Sequence, residues 1–225
     1  MLLMKNWLET RWRVTATVVY VIAFLAIHSH NPQPAEITHI LIPLFMILTY
    51  GALTLAGAGV KTQSPIGFPE GLAESTQFTL ALPVSRLRLM AVRVTVGMFE
   101  VSALTILTAG AAWALFSSLR ASTTPADFVR VVLTTLLWLT GPYCAALLFE
   151  TLLTEPFSMV VAGWVLMLLL WLLHRLAPAV DIMRGCFQAS PLITHRLPWS
   201  QMATAAGMSL MLFLAAVWIV RAREY

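Results

Sequence analysis

Long apolar runs recur along the chain and are separated by shorter polar stretches. A helix needs about 20 mainly apolar residues to cross the hydrocarbon core of a bilayer. The pattern therefore predicts an all-α integral membrane protein with six transmembrane helices. The predicted spans cover residues 12–27, 37–58, 89–119, 128–149, 157–173 and 203–220.

The composition indicates the same class of protein. Hydrophobic residues make up 59% of the 225 residues and charged residues only 11%, whereas charged residues make up about 25% of a soluble domain. This excludes an ordinary soluble globule and a disordered chain. We expect a single transmembrane domain over residues 1–225 with little soluble mass.

Three segments outside the spans have features of their own. Residues 1–13 place apolar side chains on one helical face among charged ones, which predicts an amphipathic N-terminal helix at the membrane interface. The segment 59–88 is too long for a turn and contains a potential short helix at 72–82. The segment 176–202 carries three prolines and is expected to be external.

Lys and Arg are distributed unevenly between the two sides of the predicted membrane. Nine of the 14 fall on the side of the N-terminus and five on the other. Cytoplasmic segments of membrane proteins carry an excess of these residues. We therefore expect a multi-pass protein of the cell membrane, with both termini and the 59–88 loop in the cytoplasm.

No motif for catalysis is apparent. The tract 57–62 superficially resembles a phosphate-binding loop, but the two positions that require glycine hold Leu55 and Val60. The zinc-protease and nucleophile-elbow motifs are also missing from the sequence. We expect no catalytic residue, no cofactor and no metal site on this chain.

The histidines admit two interpretations. All five lie at or beyond the predicted outer ends of the spans: His28, His30, His39, His174 and His195. They fit simple interfacial residues. Alternatively, His28 and His30 could bind a metal or, with His174, a haem, although a spacing of two residues puts two ligands on different faces of a helix.

Two charged residues fall inside the predicted third span. Arg93 is close enough to the inner surface to reach it with its side chain. Glu100 lies seven residues further on, about 10 Å along the axis, and shares a helical face with Arg93. Charges at this depth usually face the protein interior or a wet cavity. Glu100 is therefore either a structural carboxylate or a residue with a functional role.

Small residues predict where helices approach closely. Gly110 and Ala114 are four apart, as are Ala203 and Gly207, and such pairs allow tight intramolecular packing. Pro142, next to a glycine in the fourth span, predicts a kink.

Three short motifs resemble one family of transport proteins. They are 7–12 (WLETRW) at the start, 82–86 (LPVSR) after a loop containing Glu74 and Ser75, and 149–156 (FETLLTEP) between the fourth and fifth spans. In these motifs and in its layout, the chain resembles the membrane (permease) subunit of ATP-binding-cassette transporters of the type-2 exporter group.

The resemblance implies a permease that moves its substrate by alternating access. ATP would be bound and hydrolysed by a separate cytoplasmic ATPase, which docks on the 59–88 loop, and a second permease copy or a paralogue would complete the transporter. The substrate and its direction stay open. The candidate coupling residues are Leu72, Glu74, Phe78, Arg86 and Arg88, and the candidates for the transport path or coupling are Arg93 and Glu100.

Two other classes of protein compete with this interpretation. One is a membrane-embedded, cytochrome-like redox subunit that uses the outer histidines. The other is a channel or accessory scaffold that is not driven by ATP.

Overall fold

The computed structural model describes residues 2–29, 37–56, 86–152, 158–177, 181–182 and 191–222. Within these ranges the chain is almost entirely α-helical and contains no strand. The helices are α1 (Leu2–Ser29), α2 (Ile37–Ala56), α3 (Arg86–Leu115), α4 (Ser117–Ser122), α5 (Pro125–Leu152), α6 (Ser158–Leu176), α7 (Pro191–Thr194) and α8 (Trp199–Ala222).

Three stretches of these helices are long and apolar enough to cross a membrane. They are Met90–Leu115 in α3, Pro125–Phe149 in α5 and Trp199–Ala222, the whole of α8. The prediction of an all-α fold is thereby confirmed for the described residues, together with helices that are long and apolar enough to span a membrane. Two shorter apolar stretches lie in α2 and α6, and the total of six spans stays a prediction.

Helix α5 is the centre of the bundle. It packs against α2, α3, α6, α7 and α8, while α1 lies against α2 and α3. Three large side chains of α5, Leu139, Tyr143 and Leu147, are fully buried. A helix that is apolar on every side is typical of a protein core or of a membrane span, and α5 buries much of its surface against these neighbours.

Two clusters of buried side chains define the two ends of the bundle. Met90, Leu147 and Val220 pack together where α3 begins and α5 and α8 end, and we call this the loop end. At the far end, Leu25, Leu44 and Phe116 pack together where α1 and α3 end and α2 begins. Consecutive long helices therefore run in opposite directions.

The predicted boundary between a surface helix at 1–13 and a first span is not present. Residues Leu2–Ser29 form one continuous α-helix. The sequence offers no Gly or Pro in this range to interrupt the hydrogen-bond ladder. The first 13 residues are therefore part of the same helix as the predicted first span.

The predicted third span, 89–119, also extends beyond the end of the observed helix. Helix α3 ends at Leu115, and Phe116 adopts an extended conformation (φ −94°, ψ 104°) before α4 begins. The buried Phe116 side chain packs with residues of α1 and α2. Residues 59–85 of the predicted loop lie outside the described residues, and the predicted 176–202 segment is described only in part.

Candidate functional site at the end of helix α2

Two arginines from neighbouring helices bind the last turn of α2. Arg93 of α3 donates from Nε and Nη2 to the carbonyl oxygen of Ala56, at 3.1 and 2.6 Å. Arg13 of α1 donates from Nη1 to the carbonyl oxygen of Thr54, at 2.6 Å. The end of α2 is thus joined by side-chain hydrogen bonds to both helices that flank it.

The carbonyl groups at this position need such partners. The last four carbonyl oxygens of a helix accept no hydrogen bond from an N–H group of the same helix. They also form the negative end of the helix dipole. Hydrogen bonds from a charged donor are stronger than neutral ones. Arg93 is only 4% exposed, so its charge is stabilised inside the bundle by a backbone dipole.

Close packing behind Arg93 holds α3 against α5. An ideal Cβ built on Gly97 would clash with the Tyr143 hydroxyl oxygen and would lie 2.8 Å from its Cζ. The Tyr143 hydroxyl also donates to the carbonyl oxygen of Arg93, at 3.4 Å. Only glycine at position 97 leaves room for this ring, and the contact fixes the turn of α3 that carries Arg93.

A second glycine brings α1 close to α2. An ideal Cβ on Gly51 would lie 2.9 Å from Cγ2 of Thr17. Thr17 lies one turn after Arg13 and donates its hydroxyl to the Arg13 carbonyl oxygen, at 2.9 Å. Arg13 therefore reaches Thr54 from a helix already in tight contact with α2.

The small-residue pairs singled out in the sequence do not make these contacts. An ideal Cβ on Gly110 or on Gly207 would have nothing within 4 Å among the described residues. The expectation of tight packing at those two glycines is wrong, and Gly51 and Gly97 supply it instead. A glycine is needed only where a neighbouring helix presents a side chain to it.

Glu100 lies deeper in α3 and is 4% exposed. Its carboxylate is therefore inside the protein and not in contact with lipid, as expected for an ionisable group at this depth. Arg93 and Glu100 are both buried in the bundle, but Arg93 binds the end of α2.

The candidate coupling residues are only partly described. Leu72, Glu74 and Phe78 lie outside the described residues. Arg86 is the first residue of α3, and Arg88 is exposed.

The far end carries a different kind of polar contact. Asp127 is buried and its Oδ2 lies 2.8 Å from Nδ1 of His195, while Arg130 donates to its Oδ1 at 2.9 Å. Arg130 also donates to the carbonyl oxygen of His195, at 2.7 Å. His195 has a positive φ of 53°. The network attaches the turn between α7 and α8 to the start of α5.

The start of α5 is itself well capped. The Thr124 hydroxyl accepts a hydrogen bond from the backbone N–H of Asp127, and Asp127 Oδ2 accepts one from the N–H of Thr124, both at 3.2 Å. This reciprocal pair is a capping box, with Pro125 at the first helical position. Asp127 thus serves the helix terminus and the contact with His195 at once.

His174 repeats the pairing of histidine with aspartate. Its Nδ1 lies 2.6 Å from Oδ2 of Asp181, which is fully buried. Among the described residues, no group of three or more His, Cys, Asp or Glu side chains is placed to hold a metal ion. The side chains of His28, His30 and His39 lie outside the described parts.

Comparisons with family models, with curated proteins and with solved structures found no match for this chain.

Proposed function

We propose that the chain is the membrane permease subunit of an ATP-driven transporter of the ATP-binding-cassette class, working as a pair with a second permease copy or a paralogue. Two copies of a cytoplasmic ATPase would supply the energy, and this chain itself would be no enzyme. Antiparallel long helices around a buried central helix support the proposal, as do the short motifs at 82–86 and 149–156.

The contact between Arg93 and Ala56 is the observation that carries this proposal. The chain leaves α2 after Ala56 and enters α3 at Arg86, so the predicted docking loop starts and ends at these two helices. Arg93 joins the two helices next to that loop. A force on the loop would reach α2 and α3 together, and Arg13 would pass it on to α1.

Glu100 lies on the same helix as Arg93, further from the loop end. It lies seven residues beyond Arg93 on the same helical face and is buried. We assign it to the transport path or to the transmission of movement from the loop end, since a carboxylate inside a membrane helix is costly and is usually retained for function.

Co-purification with an ATPase tests the partner. The solubilised protein, produced together with the ATPase encoded beside it, should retain that subunit on an affinity column. Replacing residues 72–82 by a Gly/Ser sequence of equal length should release it, whereas the same replacement of 183–190, in the predicted external segment, should not. Recovery of active transport in vesicles that contain no ATPase would contradict the proposal.

Labelling tests the proposed orientation, in which both termini and the loop end face the cytoplasm. In a chain lacking Cys144 and Cys186, Ser200→Cys should react with an impermeant maleimide from outside intact cells. Ser64→Cys should react only after permeabilisation. The reverse pattern would overturn the orientation while leaving the fold untouched.

A further inference from the structure

A cavity of about 90 Å³ lies between α2, α3 and α5, closer to the far end than to the loop end. Most of its walls are apolar, and they include two aromatic pairs, Phe45 with Trp138 and Trp113 with Phe128. Among the described residues, no Asp, Glu, Lys, Arg or His side chain lines it. The absence of a charged wall disfavours an ion as occupant, because a buried charge needs a partner.

Threonines supply the main polar part of the walls. Thr105 and Thr134 donate their hydroxyls to carbonyl oxygens one turn back in their own helices, as threonine usually does inside a helix. Thr108 and Thr135 line the same cavity. Thr108 is only 3% exposed.

Two tryptophans at the cavity carry buried polar groups without a partner among the described residues. The indole Nε1–H groups of Trp113 and Trp138 are buried without an acceptor among the described residues. Both side chains line the cavity. Buried polar groups in folded proteins are nearly always hydrogen-bonded, so two unpaired indole N–H groups at one cavity point to a missing acceptor.

We propose that this cavity binds an uncharged amphiphile: an apolar ring or chain that carries one hydroxyl group. A hydroxyl both donates and accepts hydrogen bonds, so it can accept one from a buried indole N–H and donate one to a threonine hydroxyl of the wall. The apolar body fits walls formed by leucine, alanine and aromatic side chains. The inference concerns binding alone and holds whether or not the chain works with an ATPase.

The direct test compares phenol with toluene, which has the same shape without the hydroxyl. The cavity is partly open, so a single ring can enter it. Protein in phosphatidylcholine nanodiscs should bind phenol saturably in equilibrium dialysis, after subtraction of empty nanodiscs. Toluene should bind about five- to tenfold more weakly, the size of one hydrogen bond. Absence of saturable phenol binding, or equal affinity for both, would overturn the proposal.

Variants assign the binding to this cavity. Thr108→Val with Thr135→Val should abolish the preference for phenol, while Thr108→Ser, which keeps the hydroxyl, should retain it. Ala109→Leu should block both compounds, because Ala109 is part of the wall. Thr95→Val is the control, since Thr95 is exposed and its hydroxyl already binds the Ala91 carbonyl oxygen at 2.9 Å. An unchanged preference in the double variant would show that phenol binds elsewhere and would refute the assignment.

Competition identifies the source of the natural ligand. A hydroxyl on an apolar body is found in neutral lipids such as diacylglycerol and in free phenols or alcohols. If dioleoylglycerol in the nanodisc displaces phenol from the wild type, the membrane supplies the ligand. If it does not, while phenol still binds, the ligand is a free small molecule. Both results support a hydroxyl-binding cavity.

Discussion

The two ends of the bundle use charged side chains in different ways. At the loop end, Arg93 and Arg13 bind backbone carbonyls and join long helices to each other. At the far end, Asp127 and Asp181 bind histidine side chains and attach short connecting segments to the bundle. The first kind of contact joins two long helices, whereas the second attaches a short segment to the bundle. The difference is what a transporter driven from the loop end would require.

The largest effect should follow from removing the arginine at the loop end. Arg93→Met keeps much of the apolar stem but removes two charge-assisted hydrogen bonds to Ala56. We expect a loss of about 2–3 kcal/mol in the free energy of unfolding, measured by denaturant titration in detergent. Arg221→Met, at an exposed position at the same end, should change it by less than about 0.5 kcal/mol. Equal free energies of unfolding for Arg93→Met and Arg221→Met would show that the hydrogen bonds of Arg93 do not stabilise the loop end.

The second-largest loss of stability should follow from substituting Gly97, which lies one turn after Arg93. Gly97→Ala places a methyl group against the Tyr143 ring, so α3 and α5 must separate, at a cost of about 2 kcal/mol. Gly110→Ala, where the added methyl meets nothing described within 4 Å, should leave the unfolding midpoint unchanged or raise it slightly through helix propensity. A similar fall in both midpoints would show that glycine itself, and not the contact with Tyr143, matters.

A smaller and more local effect is expected at the far end. Asp127→Asn removes the charge that pairs with Arg130 and His195. The midpoint should fall less than in Gly97→Ala, but a cysteine at Thr194 should react faster with maleimide, because α7 is less firmly held. Arg196→Gln, an exposed residue of the same turn, is the control. Unchanged reactivity in Asp127→Asn would show that the network does not hold this turn.

The smallest effect on stability should come from Glu100→Gln, which keeps the size and most of the hydrogen-bonding capacity of the side chain. Under the proposed function, assembly with the ATPase should persist while transport falls, or ATP hydrolysis should continue without transport. Reconstituted wild type and variant are compared for both rates, with Thr95→Val of the same helix as control. Equal rates of transport and of ATP hydrolysis in the wild type and in Glu100→Gln would show that Glu100 has only a structural role.

The membrane-spanning helices could be predicted because bilayer thickness imposes a length of apolar sequence that is easy to read. Their ends were less predictable. The break at Phe116 has no Gly or Pro to announce it, and it follows from packing of that ring against α1 and α2. The capping box at Thr124 and Asp127, in contrast, is a local pattern that is present in the sequence itself.

The polar contacts of the candidate site could not be predicted for a physical reason. Arg93 binds a backbone carbonyl 37 residues away, and every residue has a carbonyl, so no residue type marks the acceptor. His195 and Asp127 are 68 residues apart and meet only once α5 and α8 are packed. Gly97 differs from Gly110 only in facing Tyr143, which no spacing rule within one helix can reveal.

The uninterrupted first helix has a mechanical consequence. Its 28 residues give a rod of about 42 Å at 1.5 Å per residue, whereas the hydrocarbon core is about 30 Å thick. Arg13 holds this rod at the end of α2, so the eleven residues before it extend about 16 Å further. A tilt of about 10° at that hold would move the tip by about 3 Å. A small rotation of the first helix at Arg13 would therefore produce a displacement of several ångströms at the start of that helix.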